Sequence, residues 1–163
     1  MNVLTASVSD PILAGCILGK YNRAHELGVV LKLDNMTHVG AIPTHIPVEQ
    51  LVSVLGNIID NAFDATRANP NSDPGIEPVI LVSMNDYGDD LVFEVTDGGT
   101  GVASEDQERI FEKGISSKHE AGHGYGLYLA RSIVEELGGQ IMVEAAEGGG
   151  AQFIVYIPKQ GVS

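Results

Sequence analysis

Residues 47–67 read PVEQLVSVLGNIIDNAFDATR. Placed at helical steps with Asn57 at zero, Leu51, Val54, Leu55, Ile58, Ala62 and Ala65 fall between about 60° and 160°. Asn57, Asp60, Asn61 and Asp64 fall within about 60° either side of zero. The spacing therefore predicts an amphipathic helix over 47–67, with an apolar face and an opposite face of two amides and two carboxylates. Residues three and four apart are neighbours on a helix, so these four side chains cluster. Hard oxygen ligands in such a cluster suit Mg²⁺, which takes one or two protein ligands beside substrate phosphates. The same four residues also suit a solvated helix face.

Working outward, Ser9-Asp10-Pro11 has the form of a helix start, a capping residue followed by Pro in the first turn. That helix runs to about His25 and stops at Gly28. Residues 29–34 (VVLKLD) alternate and predict a strand, and 35–46 are turn-rich, with a short strand near Val39. Residues 68–78 form a polar loop. Strands are expected at 79–84 and 91–96 around a turn at 86–90, then one helical turn at 107–111. A second helix is expected over 124–137. A closing hairpin of 140–145 and 152–158 turns through Gly148-Gly149-Gly150. This order predicts an α+β chain: a two-layer α/β sandwich with a mixed, mostly antiparallel sheet and helices on one face.

Three further patterns carry chemistry. Asp97-Gly98-Gly99-Thr100-Gly101 follows a strand, where glycines allow close approach by a ligand and an aspartate can accept from an exocyclic amine. Gly122-His123-Gly124-Tyr125-Gly126-Leu127 opens a helix, whose free N–H groups and dipole attract phosphate. It does not follow a strand directly, which argues against a dinucleotide-binding βαβ unit. Ile110-Phe111-Glu112-Lys113-Gly114, followed by Ile115-Ser116-Ser117-Lys118, offers an apolar anchor and a cation within reach of a phosphate. Read singly, each also fits a plain turn, a hinge or a packed Phe.

Composition narrows the partners. The chain has 163 residues, 44% apolar and 19% charged, with Lys plus Arg 9 against Asp plus Glu 22, a net charge of −13. So acidic a chain argues against nucleic acid and anionic membranes, where contacts to phosphate dominate. Cys16 is the single cysteine, so no intramolecular disulfide and no multi-cysteine metal site forms. The apolar run from Pro11 to Leu18 falls short of the roughly 20 residues that span a bilayer, and no secretory signal is expected. Of 20 glycines, twelve lie between Gly98 and Gly150. From Arg109 to Arg131, Arg109, Lys113, Lys118 and Arg131 stand against Glu112 and Glu120 only, a local excess of +2 inside the acidic chain.

Taken in order, the Asn helix, the Asp-x-Gly-x-Gly turn, the Phe loop and the Gly-x-Gly-x-Gly helix resemble the N, G1, F and G2 boxes of the GHKL ATPase superfamily. That group includes histidine kinases, Hsp90-type chaperones, type II topoisomerases and MutL-type repair proteins. The resemblance covers about Val29 to Lys159 and implies the Bergerat-type ATP-binding fold. ATP-hydrolysing branches usually carry a glutamate base four residues before the metal-binding Asn. Here that position is Asn57, which cannot accept a proton. The amide pair, IFEKGISSK and GHGYGLYLARSIVEELGGQI resemble the histidine-kinase boxes. The stretch Leu18–Gly28 and Asn61-Ala62-Phe63-Asp64-Ala65 resemble the citrate and C4-dicarboxylate sensor kinases. Asp64 and Ala65 stand where many kinases carry a basic residue and an aromatic.

The resemblance implies ATP and Mg²⁺ as ligands. It implies Asn61 on the metal, Asn57 supporting metal or phosphates, and Asp97 on adenine with Gly99 and Gly101 making room. Phe111 would anchor a lid, Gly122, Gly124 and Gly126 would hinge it and present N–H groups, Leu127 would dock the helix, and Lys118 would reach phosphate. Residues 1–28 would be the remnant of a preceding dimerisation helix and 29–160 the ATP-binding catalytic domain. The acceptor would be a histidine on a separate dimerisation domain, with a response regulator downstream. The fragment itself would be monomeric, the cytoplasmic domain of a membrane-anchored kinase. His25-Glu26 has the dipeptide of a phosphoacceptor but stands at a helix end. The rival readings are a GHKL ATP hydrolase or serine kinase, and a non-catalytic nucleotide-sensing module.

Overall fold

The side chain of Asp10 caps the helix that begins at Pro11. Its Oδ1 accepts from the N–H groups of Ile12 at 2.9 Å and Leu13 at 3.0 Å, and Pro11 fills the first position, where no N–H partner is needed. Helix α1 then spans Pro11–Leu27. In the computed structural model, which describes residues 7–70, 73, 75–112 and 125–160, there follow β1 (Val30–Leu33), α2 (Val48–Arg67), β2 (Val79–Tyr87) and β3 (Asp90–Thr96). Single 3₁₀ turns at Ser104–Asp106 and Arg109–Phe111 lead toward α3 (Gly126–Glu136), β4 (Gln140–Ala145) and β5 (Ala151–Pro158).

The five strands form one sheet in the order β1-β2-β3-β5-β4. β1 runs parallel to β2, and the other neighbours are antiparallel. Alternation sorts the faces, because successive side chains of a strand point to opposite sides. Ile80, Val82, Met84, Leu91, Phe93, Val95, Ile141, Val143, Phe153, Val155 and Ile157 are buried toward the helices. Ser83, Glu94, Thr96 and Gln152 share the other face and are half-buried. The expected two-layer sandwich is present.

The sheet differs from expectation in two ways. β2 continues three residues past Met84, because Asn85, Asp86 and Tyr87 keep pairing with Val92, Leu91 and Asp90, so the expected five-residue turn shrinks to Gly88-Asp89. The strands are also less sequential than a string of hairpins. β5 returns past its own partner to lie between β3 and β4. Near Val39, the short strand reduces to bridges Val8–Val39 and His38–Asn85. The helical turn expected at 107–111 is a 3₁₀ turn at Arg109–Phe111, preceded by another at Ser104–Asp106, and α3 begins at Gly126.

Helix α2 is buried over a wider arc than its wheel suggests. Leu51, Val54, Leu55, Ile58 and Ala62 are buried as expected, and so are Ile59, Phe63 and Thr66, at about 180° to 240° on the same wheel. The sheet lies on one side of α2, with α1 and α3 beside it. Ala65, expected in the core, is only half-buried, because a turn rather than a strand backs onto it. Leu13, Ile17 and Ala24 of α1 join the same continuous core as α2 and the sheet.

Leu55 is 0% exposed. Leu55→Ala is expected to cost about 2–5 kcal/mol, read as a lower urea midpoint at unchanged slope.

Candidate functional site

On the polar face of α2, Asn57, Asn61 and Asp64 are half-buried and Asp60 is exposed. The Asp60 carboxylate accepts from Lys20 Nζ of α1 at 2.6 Å, and the Lys20 stem lies across Gly56. Asp60 is thus committed to α1. With its carboxylate exposed to solvent, a pair of this kind adds modest stability. The first residue of α3 meets Asn57: a Cβ at Gly126 would stand 3.4 Å from Asn57 Oδ1. The cap position of α3 is Tyr125, whose side chain makes no capping hydrogen bond. A helix start of this kind directs backbone N–H groups outward. Here they lie beside an amide oxygen.

The other end of the site is the turn after β3. Asp97 is 6% exposed. Its Oδ1 accepts from Gly99 N–H at 2.9 Å and Ala151 N–H at 3.1 Å, while its own N–H donates to the Ala151 carbonyl at 2.9 Å. Burial pushes the carboxyl pKa up, and the bonds from Gly99 and Ala151 pull it partly back. Two glycines are required by close approach. A Cβ on Gly99 would sit 2.9 Å from the Ala65 carbonyl oxygen of α2, and one on Gly150 would run into the Asp97 carbonyl oxygen. Gly101 packs on the closing hairpin, its Cβ position 3.0 Å from the Gly149 carbonyl oxygen.

Two residues that sequence reasoning missed hold this turn against α2. Thr66 Oγ1 accepts from Gly98 N–H at 3.0 Å, and Asn69 Nδ2 donates to the Gly98 carbonyl at 2.9 Å. The available signal was a hydroxyl on the apolar side of an amphipathic helix.

Phe111 is 2% exposed and meets Phe153 edge-on, ring centroids 6.0 Å apart at 87°. The Arg131 guanidinium of α3 lies 5.6 Å from the Phe111 ring centroid and within 3.5 Å of both Glu108 and Glu135. The aromatic contact and the Glu108 pair tie α3 to the second 3₁₀ turn, while the Glu135 pair lies within α3. Leu127 is half-buried against the core. Of the residues singled out from sequence, Asn57 meets Gly126, and Asn61 follows one turn along α2. Asp97, Gly99 and Gly101 gather in the turn after β3, and Phe111 and Leu127 pack with the core. Lys118, Gly122 and Gly124, with Lys113, His119 and His123, lie outside the described residues.

A family model described as "Histidine kinase-, DNA gyrase B-, and HSP90-like ATPase" matches residues 47–161. Among curated relatives, the sensor protein CitS of Halalkalibacterium halodurans is 41% identical over 93% of this chain and 28% of its own length. The sensor histidine kinase CitA of Klebsiella pneumoniae is 37% identical over 97% of this chain and 28% of its own. The chain thus spans little more than a quarter of these relatives. Among solved structures, full-length ShkA in complex with AMPPNP superposes with TM-score 0.67 at 25% identity, over 93% of this chain and 30% of that one. The catalytic domain of the histidine kinase ThkA gives 0.67 at 25% identity, over 90% and 92%.

The buried carboxyl of Asp97 sets a pH test. Its folded pKa lies above the unfolded one, so the folded state holds the proton more tightly and loses stability as pH rises through the folded value. Asp97→Asn keeps an oxygen for Gly99 and Ala151 and removes the charge. Wild type should therefore lose stability relative to Asp97→Asn as pH rises from about 4, measured by thermal melts; a difference independent of pH would show that the carboxyl is not shifted. Gly99→Ala should lower stability at every pH, since the atom it meets is backbone.

Proposed function

Since the chain belongs to the histidine kinase-, DNA gyrase B- and HSP90-like ATPase family, we propose that it is the ATP-binding catalytic domain of a two-component sensor histidine kinase. The observation that supports this most directly is the placement of two unlike recognition elements on one helix. The amide face of α2 meets the start of α3 at Asn57, near mid-helix, and the same helix backs the Asp97 turn at its C-terminal end. A carboxylate suited to an adenine amine and a cluster suited to phosphates thus share a single scaffold.

The residues fit ATP and Mg²⁺ in chemical type. The missing Cβ of Gly126 leaves open the space beside Asn57 Oδ1. Asn61 would offer a neutral amide oxygen to Mg²⁺, with Asn57 supporting metal or phosphates. Few protein ligands suffice for Mg²⁺ when phosphates supply the rest. Bound Mg²⁺ would neutralise phosphate charge and orient the terminal phosphoryl group, since such transfer rests on positioning and charge stabilisation. Asp97 would accept from the adenine amine, with Gly99 and Gly101 clearing the approach. Phe111 would anchor a lid, and Leu127 would dock α3. Gly122, Gly124 and Gly126 would present N–H groups, and Lys118 would add a cation to the phosphates.

Asn57 favours kinase over hydrolase, because an amide accepts no proton from an attacking water. The acceptor would be a histidine on a dimerisation domain outside these residues, with a response regulator downstream. Residues 1–28 would continue from that dimerisation helix, and 29–160 would be the catalytic domain. On this reading the fragment is a monomer and works on the cytoplasmic side of a membrane-anchored kinase. No described helix is long and apolar enough to cross a membrane.

Asn61→Ala is expected to weaken Mg²⁺-dependent ATP binding at least about tenfold, roughly the loss of one charge-assisted contact; unchanged affinity by calorimetry would remove Asn61 from the metal role. The chain alone should take up no stable acid-labile phosphate from ATP, yet should phosphorylate a dimerisation domain supplied in trans. Steady phosphate release without that domain would favour the hydrolase.

A further inference from the structure

The contacts of Thr66 have a use beyond packing. Thr66 is 1% exposed, yet it stands on a helix whose other buried residues are all apolar. Its hydroxyl oxygen accepts from Gly98 N–H at 3.0 Å, and its methyl group faces the Gly98 Cα. One turn on, Asn69 donates to the Gly98 carbonyl at 2.9 Å. Both polar groups of the Gly98 residue are therefore held by Thr66 in the last turn of α2 and by Asn69 just past its cap. Gly98 lies between Asp97, whose carboxylate is aimed by Gly99 and Ala151, and Gly99, which touches the α2 backbone. Along α2, Thr66 is nine residues from Asn57, about 13 Å at 1.5 Å per residue. The helix acts as a ruler, with Asn57 and Asn61 near its middle and the tether of the Asp97 turn at its C-terminal end.

We propose that Thr66, seconded by Asn69, is a positioning residue that sets discrimination among purine bases by holding the Asp97 turn at a fixed height above α2. The inference rests on the reading of Asp97 as the acceptor for an adenine amine. Thr66 touches no ligand itself. Without its oxygen, Gly98 N–H loses its partner and the turn is free to tilt, moving the Asp97 carboxylate relative to the base. Asn57, nine residues away on the same rigid helix, and Asn61, five residues away, keep their geometry.

The test compares ATP with inosine triphosphate, whose base carries a carbonyl in place of the amine. Mg²⁺-dependent affinities would be measured by calorimetry for wild type, Thr66→Val, Thr66→Ser and Asn69→Ala. Wild type should prefer ATP by at least about tenfold, the scale of a buried hydrogen bond. Thr66→Val should narrow that ratio about tenfold while its affinity for inosine triphosphate stays within about twofold, and Thr66→Ser, which keeps the oxygen, should restore it. Asn69→Ala should narrow the ratio about threefold and keeps the test open if Thr66→Val does not fold. If wild type prefers ATP but the variants keep its ratio, or lose both nucleotides by the same factor, the positioning role is overturned while Asp97 retains its assignment. If wild type binds the two nucleotides equally, the adenine reading of Asp97 fails and this inference falls with it.

Discussion

Helix α2 is enclosed by the sheet and two flanking helices, and this enclosure governs the molecule. A surface helix buries one stripe and solvates the rest. Here α1, the sheet and α3 take the greater part of the circumference, so the residues left over form a narrow polar strip. That strip is where Asn57 and Asn61 stand. The site is thus what remains when the core is complete, and the amides inherit the rigidity of a helix that has almost no freedom to move. At its C-terminal end the same enclosure buries Thr66, and a buried hydroxyl must find a partner. It finds the Gly98 N–H, and so core packing and site geometry share one set of atoms.

The electrostatic arrangement follows a similar economy. With a net charge of −13, the chain has few cations to spend on a phosphate. Arg131 is engaged with Phe111, Glu108 and Glu135, and Lys20 with Asp60. Among the described residues, the groups beside Asn57 that suit an anion are the backbone N–H dipoles at the start of α3. Such groups do not lose their orientation with pH or salt as long side-chain charges do. Asp97 is the counterexample. It is a carboxyl taken out of water, held by two backbone N–H groups, and shifted upward as a result. A carboxylate partly stripped of solvent is a strong acceptor for an amine that enters in place of water.

Much of this was legible in the sequence, for reasons that differ by element. The period of α2, the Asp10-Pro11 start and the alternation of the strands are local, and local patterns survive without tertiary context. Phe63 and Ile59 were placed off the apolar stripe because a wheel assumes one buried side, whereas α2 has three. β2 seemed to end at Met84 because Asn85 and Asp86 look like turn residues; in the sheet they pair with β3. The position of β5 between β3 and β4 was not legible at all, since a closing hairpin has the same sequence whichever strand it joins. The glycines of the Asp97 turn and the closing hairpin were visible as a cluster, but what each one touches was not. Gly99 answers to the Ala65 carbonyl and Gly150 to Asp97, contacts that bring together distant parts of the chain. Thr66 and Asn69 carried no recognisable motif.

The strand order bears on how the chain acquires its shape. β5 is the last strand of the sheet in sequence and one of its inner strands in space. Until it arrives, β3 and β4 have no common partner, and Asp97 lacks the Ala151 N–H that aims its carboxylate. Contacts this far apart form slowly, because a long loop must close before they repay its entropy. During synthesis, α1, β1, α2, β2 and β3 can gather early. The sheet must still wait with an open edge, and an unpaired edge invites association with other chains. Completion of the sheet and completion of the site are therefore one late event, so a nascent chain that has not finished folding also cannot present a finished Asp97 turn.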